Sequence, residues 1–436
     1  MRVTSVVCPF CGALCDDIEI EVEGDVIKGV KRGCALSKSF FLSHAEDLSH
    51  PLVEGLEVEL EEAVEEATRI LARADYPLIY GLSCTTIEAQ RKAMELADLL
   101  GANIDSTSSI CHGPTGIAMQ MVGVATCTLG EIKNRADLLV FWGCNPAESH
   151  PRHFSRYSAL AKGLLTPRGR KDRTVVVVDV RPSASSHTAD IFLQINPNGD
   201  FECLWVLRAL LEGEKVDLEE VSGIAVEELR ELSERMKGAR FGVLLFGMGL
   251  TMTRGRHLNV LAALTLTRDL NQFSKFAAVP MRGHGNVSGI DALSAWQTGY
   301  PFGVNFSRGY PQYNPGEFTT VDILARKEVD AALIIASDPY ANLPRRAAQR
   351  LEEIPTIVMD PKRSKTAQIA RVVIPTAISG ISAEGTAYRM DDVPLRLKRL
   401  ISSPYPPDHE VLDEIIRRVK KCLGYQEERS MTLSMA

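Results

Sequence analysis

Eight short apolar runs recur along this chain, at 77–80, 138–142, 174–179, 191–195, 242–246, 332–335, 356–359 and 371–374, bounded by Gly, Pro, Asn or Asp. Helical patterns fill the intervals. Leu60, Val64, Ala67 and Leu71 share one face, and 85–100, 201–212, 225–237 and 255–270 read as helices. Such alternation folds as parallel sheets covered by helices, an α/β architecture whose ligands sit outside the carboxyl ends of the strands. A chain of 436 residues has room for about three domains. With 45% apolar and 24% charged residues it is neither disordered nor fibrous. A net charge of −7 argues against a nucleic-acid partner. No apolar run approaches the length of a membrane span, so membrane insertion is not expected. The N-terminus has no signal-peptide pattern, which predicts a cytoplasmic protein. Ten cysteines are too sparse for a disulfide scaffold, and in a reducing compartment clustered cysteines point to metal or catalysis.

Residues 1 to about 50 form a unit of their own. Strands at 17–21 and 26–30 are joined by a hairpin at Gly24-Asp25, with cysteines on both sides. The unit has too few apolar residues for a core, so a metal staple is expected. The spacing Cys8-x2-Cys11-x3-Cys15-x18-Cys34 supplies four thiols. Zinc ribbons pair two symmetric CxxC knuckles, whereas three cysteines crowd one loop here. That asymmetry suits a [4Fe–4S] cluster, with structural zinc and unligated cysteines as the alternatives.

An internal repeat sharpens the reading. The segment from Asp137 to Asn145-Pro146 resembles that from Asp330 to Asp338-Pro339, and Pro151-Arg152 matches Pro344-Arg345. After a 12-residue change in spacing, Asp179 and Arg181-Pro182 parallel Asp360 and Lys362-Arg363. Two Rossmann-like halves could share a strand pattern by fold alone. The matching polar residues at strand ends favour two similar nucleotide-bearing ligands, one per half, because an acidic residue after the second strand can bind a nucleotide's sugar or base.

Cys111-His112-Gly113-Pro114 places a cysteine before a helix that Pro114 can start. The helix dipole there favours the thiolate, a nucleophile or soft metal ligand; a buried turn cysteine is the alternative. Arg282-Gly-His284-Gly-Asn follows a strand-like run at 276–279. An arginine there can meet a small carboxylate, or be an ordinary surface residue. Gly247 and Gly249 follow a strand where a phosphate-cradling turn would be. The stretch 280–318 reads as an ordered loop lining a site.

Together these pieces resemble the molybdopterin-dependent oxidoreductases of the formate dehydrogenase type, and among them the metal-bearing catalytic subunits of formylmethanofuran dehydrogenases. The residues that carry the resemblance are the N-terminal cysteines, Cys111-His-Gly-Pro, Trp142-Gly-Cys-Asn-Pro with its continuation to His153, Arg282-Gly-His-Gly-Asn, Gln297-Thr-Gly-Tyr-Pro-Phe, Ser307-Arg-Gly, Glu384-Gly-Thr and Arg389-Met-Asp.

The resemblance implies that Cys8, Cys11, Cys15 and Cys34 hold a [4Fe–4S] cluster and that Cys111 ligates tungsten or molybdenum. It implies that His112 and Arg282 handle the proton and the carboxylate. It also implies two molybdopterin guanine dinucleotides lined by Asn145, Asp179, Asp338 and Asp360; Gly247, Gly249 and His284 are further candidates for cofactor contact. The reaction would be reversible reduction of CO2 to formate, with formate passed to an amidohydrolase subunit for condensation with methanofuran. The expected domains are a cluster unit at 1–52, a discontinuous α/β domain at 53–108 and 318–436, and a second α/β domain at 109–317 carrying Cys111. Longer relatives close the cofactor site with a C-terminal β-barrel, so a separate barrel subunit is expected, along with ferredoxin-like electron-delivery subunits. Relatives often carry a lysine where this chain has Leu36, leaving Lys38 or Lys31 as candidates for that place. Another molybdopterin enzyme such as a formate dehydrogenase, or an electron-transfer subunit of the same fold, are the competing readings.

Overall fold

The structure, a computed structural model, describes residues 1–425. The expected polar tail of the last domain lies outside the described residues. Two parallel sheets form the body. One has five strands in the spatial order Ile191–Gln194, Thr174–Asp179, Leu138–Trp142, Phe241–Phe246, Lys275–Pro280, all parallel. The other is nine-stranded. Its parallel centre runs Asn103–Ser106, Pro77–Gly81, Ala331–Ile335, Thr356–Met359, Val372–Ile374. Short antiparallel strands flank it, Val304–Asn305 and Gln312–Tyr313 on one side and Leu52–Val53 and Leu56–Glu57 on the other.

The unbroken apolar runs follow from this layering. Val175 to Val178 are fully buried because helices or loops cover both faces of the sheet. Helices Asp200–Leu211, Val226–Lys237 and His257–Leu270 cover one face. The N-terminal unit packs Ile18, Ile20 and Phe41 against Phe141, Val175 and Val177 on the other. This unit has three antiparallel strands, Arg2–Val6, Ile18–Glu23 and Val26–Lys31. Arg152 holds Asp17 through two hydrogen bonds, of 2.6 and 2.7 Å, and so ties the unit to the five-stranded sheet.

Two expectations need correction. The stretch 280–318 is not one loop: Val287–Thr298 is a helix, its face of Val287, Ile290 and Leu293 buried. The expected break at 317 also falls too late, because Val304–Asn305 already pairs with Asn103 and Ile104. Among the described residues no helix is long and apolar enough to cross a membrane.

Candidate active site

Strand Asn103–Ser106 leads through a tight turn at Thr107–Ile110 to Cys111. The amides of Cys111 and His112 both donate to the Ser108 carbonyl, at 3.0 and 2.9 Å. Helix Gly113–Val122 follows, with Pro114 in its first turn. Thr251, from beyond the five-stranded sheet's strand Phe241–Phe246, donates from Oγ1 to the Cys111 carbonyl at 2.6 Å. Cys111 is therefore held from both sheets. Burial pushes its thiol up to about 12, with Arg282 pulling the other way. The expected thiolate-favouring dipole is outweighed by burial, and a bound cation would be needed to release the proton.

His112 Nδ1 lies 3.1 Å from Thr115 Oγ1, and its Nε2 is buried without a protein partner. Burial first, then the Arg282 charge, drives the ring down to about 3, so it is neutral near pH 7. Arg282 is ion-paired with Asp291. Burial opposes its charge, and the Asp291 carboxylate more than compensates. The Arg282 carbonyl accepts from His150 Nε2 at 2.9 Å, and the Gly12 amide donates to the Gly283 carbonyl at 2.9 Å. A Cβ on Gly12 would overlap the Arg282 carbonyl oxygen, and one on Gly285 the Pro9 carbonyl oxygen. Glycine at both places lets the arginine segment and the cysteine loop run backbone against backbone.

Cys8, Cys11, Cys15 and Cys34 line one small cavity together with Phe10 and Arg152. Burial raises the thiols of Cys11 and Cys15 to about 12 and about 11, and the Cys8 thiol pushes both further the same way. Among the described residues no three His, Cys, Asp or Glu side chains converge for a single metal ion. The four thiols surround a space rather than meeting at a point. Lys31, one candidate for the missing lysine, pairs at the surface with Glu21.

A larger cavity of about 830 Å³ opens where strands Pro77–Gly81 and Ala331–Ile335 end, the point at which the sheet's connections diverge. Cys111, His284, Asp338 and Asp360 are on its wall, and Met248 joins from the other sheet. Phe10 and Cys11 line both cavities. Asn145, Asp179, Gly247 and Gly249 stand off this wall, at the carboxyl ends of the five-stranded sheet.

Gly247 and Gly249 do not form a phosphate cradle. Their amides already donate to the carbonyls of Trp142 and Gly143, at 3.1 and 2.9 Å, so neither is free for an anion. Asn145 Oδ1 accepts from the amide and hydroxyl of Ser185, at 3.2 and 2.6 Å, and Ser185 Oγ accepts from the Ala147 amide at 3.1 Å. Asp338 Oδ1 accepts from the amide and hydroxyl of Thr366, at 2.8 and 2.6 Å, and Thr366 Oγ1 accepts from the Tyr340 amide at 3.0 Å.

Sequence reasoning missed Asp291, Thr251 and Asp408; the last lies on the large cavity's wall and accepts from Thr85. Only Asp291 left a signal, the three-residue apolar spacing of Val287, Ile290 and Leu293 that marks its helix.

No family model matches the chain. It is 48% identical over 431 residues to the second of the B-type subunits of tungsten-containing formylmethanofuran dehydrogenase from Methanocaldococcus jannaschii, covering 97% of this chain and 99% of that one. The chain belongs to the family of formylmethanofuran dehydrogenase B-type subunits. A solved relative of the family's fold is a chain of the formyltransferase/hydrolase complex from Methylorubrum extorquens, bound to methylofuran. It has a TM-score of 0.71 and 25% identity, over 85% of this chain and 99% of that one. Acetylene hydratase from Pelobacter acetylenicus shares the fold with a TM-score of 0.73 at 14% identity, over 96% of this chain and 69% of that one. Family members are oxidoreductase subunits of multisubunit enzymes, and the mixed α/β fold with parallel sheets is common to these structures.

Proposed function

We propose that this chain is the redox subunit of a formylmethanofuran dehydrogenase, interconverting CO2 and formate at Cys111. The observation that carries the proposal is a soft thiol on the wall of a large cavity, with a buried, charged arginine acting on it. The donor sets fit the implied cofactors. Four thiols around one space suit a [4Fe–4S] cluster, and a lone thiol at the large cavity suits tungsten or molybdenum. Bound there, a tungsten or molybdenum bis-molybdopterin guanine dinucleotide supplies two-electron chemistry, and the cluster carries the electrons.

The protein's residues do the rest. Cys111 gives up its proton to become a ligand. Arg282 binds the formate carboxylate through paired N–H donors and so favours the charged product over neutral CO2. CO2 takes up two electrons and one proton to become formate, and His112 Nε2 is placed to hold or pass that proton. Thr115 fixes the other ring nitrogen. Phe10 and Cys11, shared by both cavities, support a short path between cluster and metal. The matching hydrogen bonds at Asn145 and Asp338 support a duplication and two equivalent dinucleotide sites. In that reading Asp179 and Asp360 follow the second strand of each half, and His284 adds a contact from the cavity wall. The two sheets and the N-terminal unit support the three-part division of the chain.

Formate would pass to an amidohydrolase subunit, a separate β-barrel subunit would close the dinucleotide site, and ferredoxin-like subunits would deliver electrons. The test is formate oxidation by the purified complex with a viologen dye, which bypasses the amidohydrolase step. Arg282→Lys should lose roughly tenfold, about 1.4 kcal/mol of transition-state stabilisation. Full activity with unchanged formate affinity would remove Arg282 from the substrate site.

A further inference from the structure

One buried carboxylate joins the parts of this site that the proposed reaction uses separately. Asp291 lies on helix Val287–Thr298, and both it and Arg282 are 7% exposed. Arg282 Nη1 donates to Asp291 Oδ2. Ser108 Oγ donates to the same oxygen at 2.7 Å, and Ser106 Oγ donates to Oδ1 at 3.5 Å. These serines belong to the turn that ends in Cys111. Ser106 Oγ accepts from the Ser108 amide at 3.1 Å, and the Ser108 carbonyl accepts from the amides of Cys111 and His112. Among the described residues nothing accepts from Nε or Nη2 of Arg282, so its other donors are uncommitted.

Resting on the reading of Cys111 and Arg282 given above, we infer that Asp291 is a positioning residue: it sets Arg282 in register with the Cys111–His112 turn and leaves the remaining guanidinium donors for the substrate carboxylate. An arginine side chain has several rotatable bonds, and binding a carboxylate freezes them. A fixed ion pair has already frozen them before the substrate arrives, so less freedom is lost on binding. The fixed point must also be shared with the metal ligand's own turn, since a guanidinium held rigidly in the wrong place gains nothing. Asp291 meets both conditions with one carboxylate. Asparagine at 291 keeps the size but loses the charge that anchors the arginine.

The experiment uses the purified complex carrying Asp291→Asn, Arg282→Ala or both, and reads viologen-coupled formate oxidation, metal and iron content, and hydrogen exchange of the amides at 106–112. Asp291→Asn should raise the formate KM tenfold or more and change kcat less than threefold. Metal and iron should stay at wild-type levels, and exchange at 106–112 should quicken. In the Arg282→Ala background the second substitution should change KM less than twofold, because no arginine is left to position. If Asp291→Asn fails to accumulate, Ser108→Ala removes one tie to the carboxylate and should raise KM and quicken exchange to a smaller degree. Unchanged KM and exchange in Asp291→Asn, or an equal effect with and without Arg282, would overturn the inference. If Arg282→Ala alone leaves formate KM and kcat unchanged, the placement of the substrate falls instead.

Discussion

Asn145 and Asp338 occupy the same position at the ends of strands in two different sheets, and each accepts from both the amide and the hydroxyl of one residue beyond the next strand, Ser185 and Thr366 respectively. The spans between partners are 40 and 28 residues, a difference of 12 that equals the change in spacing of the sequence repeat. The backbone matches as well, with φ near −121° at Asn145 and −124° at Asp338. These side chains close the strand ends from within. If each end serves one dinucleotide, cofactor released from the enzyme should contain two guanine nucleotides per tungsten or molybdenum. A ratio of one would leave the duplication as fold symmetry without a matching pair of ligands.

Asp338 also accepts from the Lys365 amide, so it caps helix Lys365–Ile369. Asp338→Ala should destabilise the chain by about 0.5–2 kcal/mol, the usual loss for an N-terminal cap. Chemical denaturation would read it, and Asp338→Asn, which keeps the acceptor, should recover most of the loss.

Much of this arrangement could be read from the sequence, because both sheets are covered on two faces and their strands are continuous apolar runs. Strand Asn103–Ser106 escaped notice because it is polar: Asn103 and Asp105 are buried yet satisfied, Asp105 by the amides of Gly303 and Thr320 at 3.0 and 2.8 Å. Helix Val287–Thr298 was hidden by the glycine- and proline-rich segments on either side. The Arg282–Asp291 pair depends on how that helix docks, which no local pattern states. The cysteine cavity shows the opposite case, since ligand spacing alone brought Cys8, Cys11, Cys15 and Cys34 together.

The N-terminal unit should depend on Arg152, whose two hydrogen bonds to Asp17 are only partly exposed to solvent. Arg152→Ala removes charge-assisted bonds worth about 1.5–3 kcal/mol. Anaerobic protein carrying it should lose iron to a chelator roughly tenfold faster than wild type. Equal rates would show that the unit is held by its apolar contacts alone.

Asp360 gives a pH signature. Burial raises its carboxyl to about 7, and Asp408 and Asp338 push the same way. A raised carboxyl pKa means the folded state prefers the proton. That contribution is complete below the ordinary carboxylate value of about 4 and is lost as pH rises through about 7. The cofactor-free chain should therefore lose thermal stability between pH 5 and pH 8, and Asp360→Asn should flatten that slope. A wild-type slope of opposite sign would contradict this.

The cluster assignment is tested by counting atoms. Anaerobic protein should contain about four iron and four sulfide per chain from the cysteine set. About one zinc and no sulfide would mean that the four cysteines serve a structural metal.

The central claim is that Cys111 is the metal ligand at which formate and CO2 interconvert. The most direct measurement pairs formate-dependent viologen reduction with tungsten, molybdenum, iron and pterin analysis in the Cys111→Ala complex. The account predicts iron and pterin at wild-type levels with turnover abolished. Turnover near wild type in a fully loaded Cys111→Ala enzyme would contradict it.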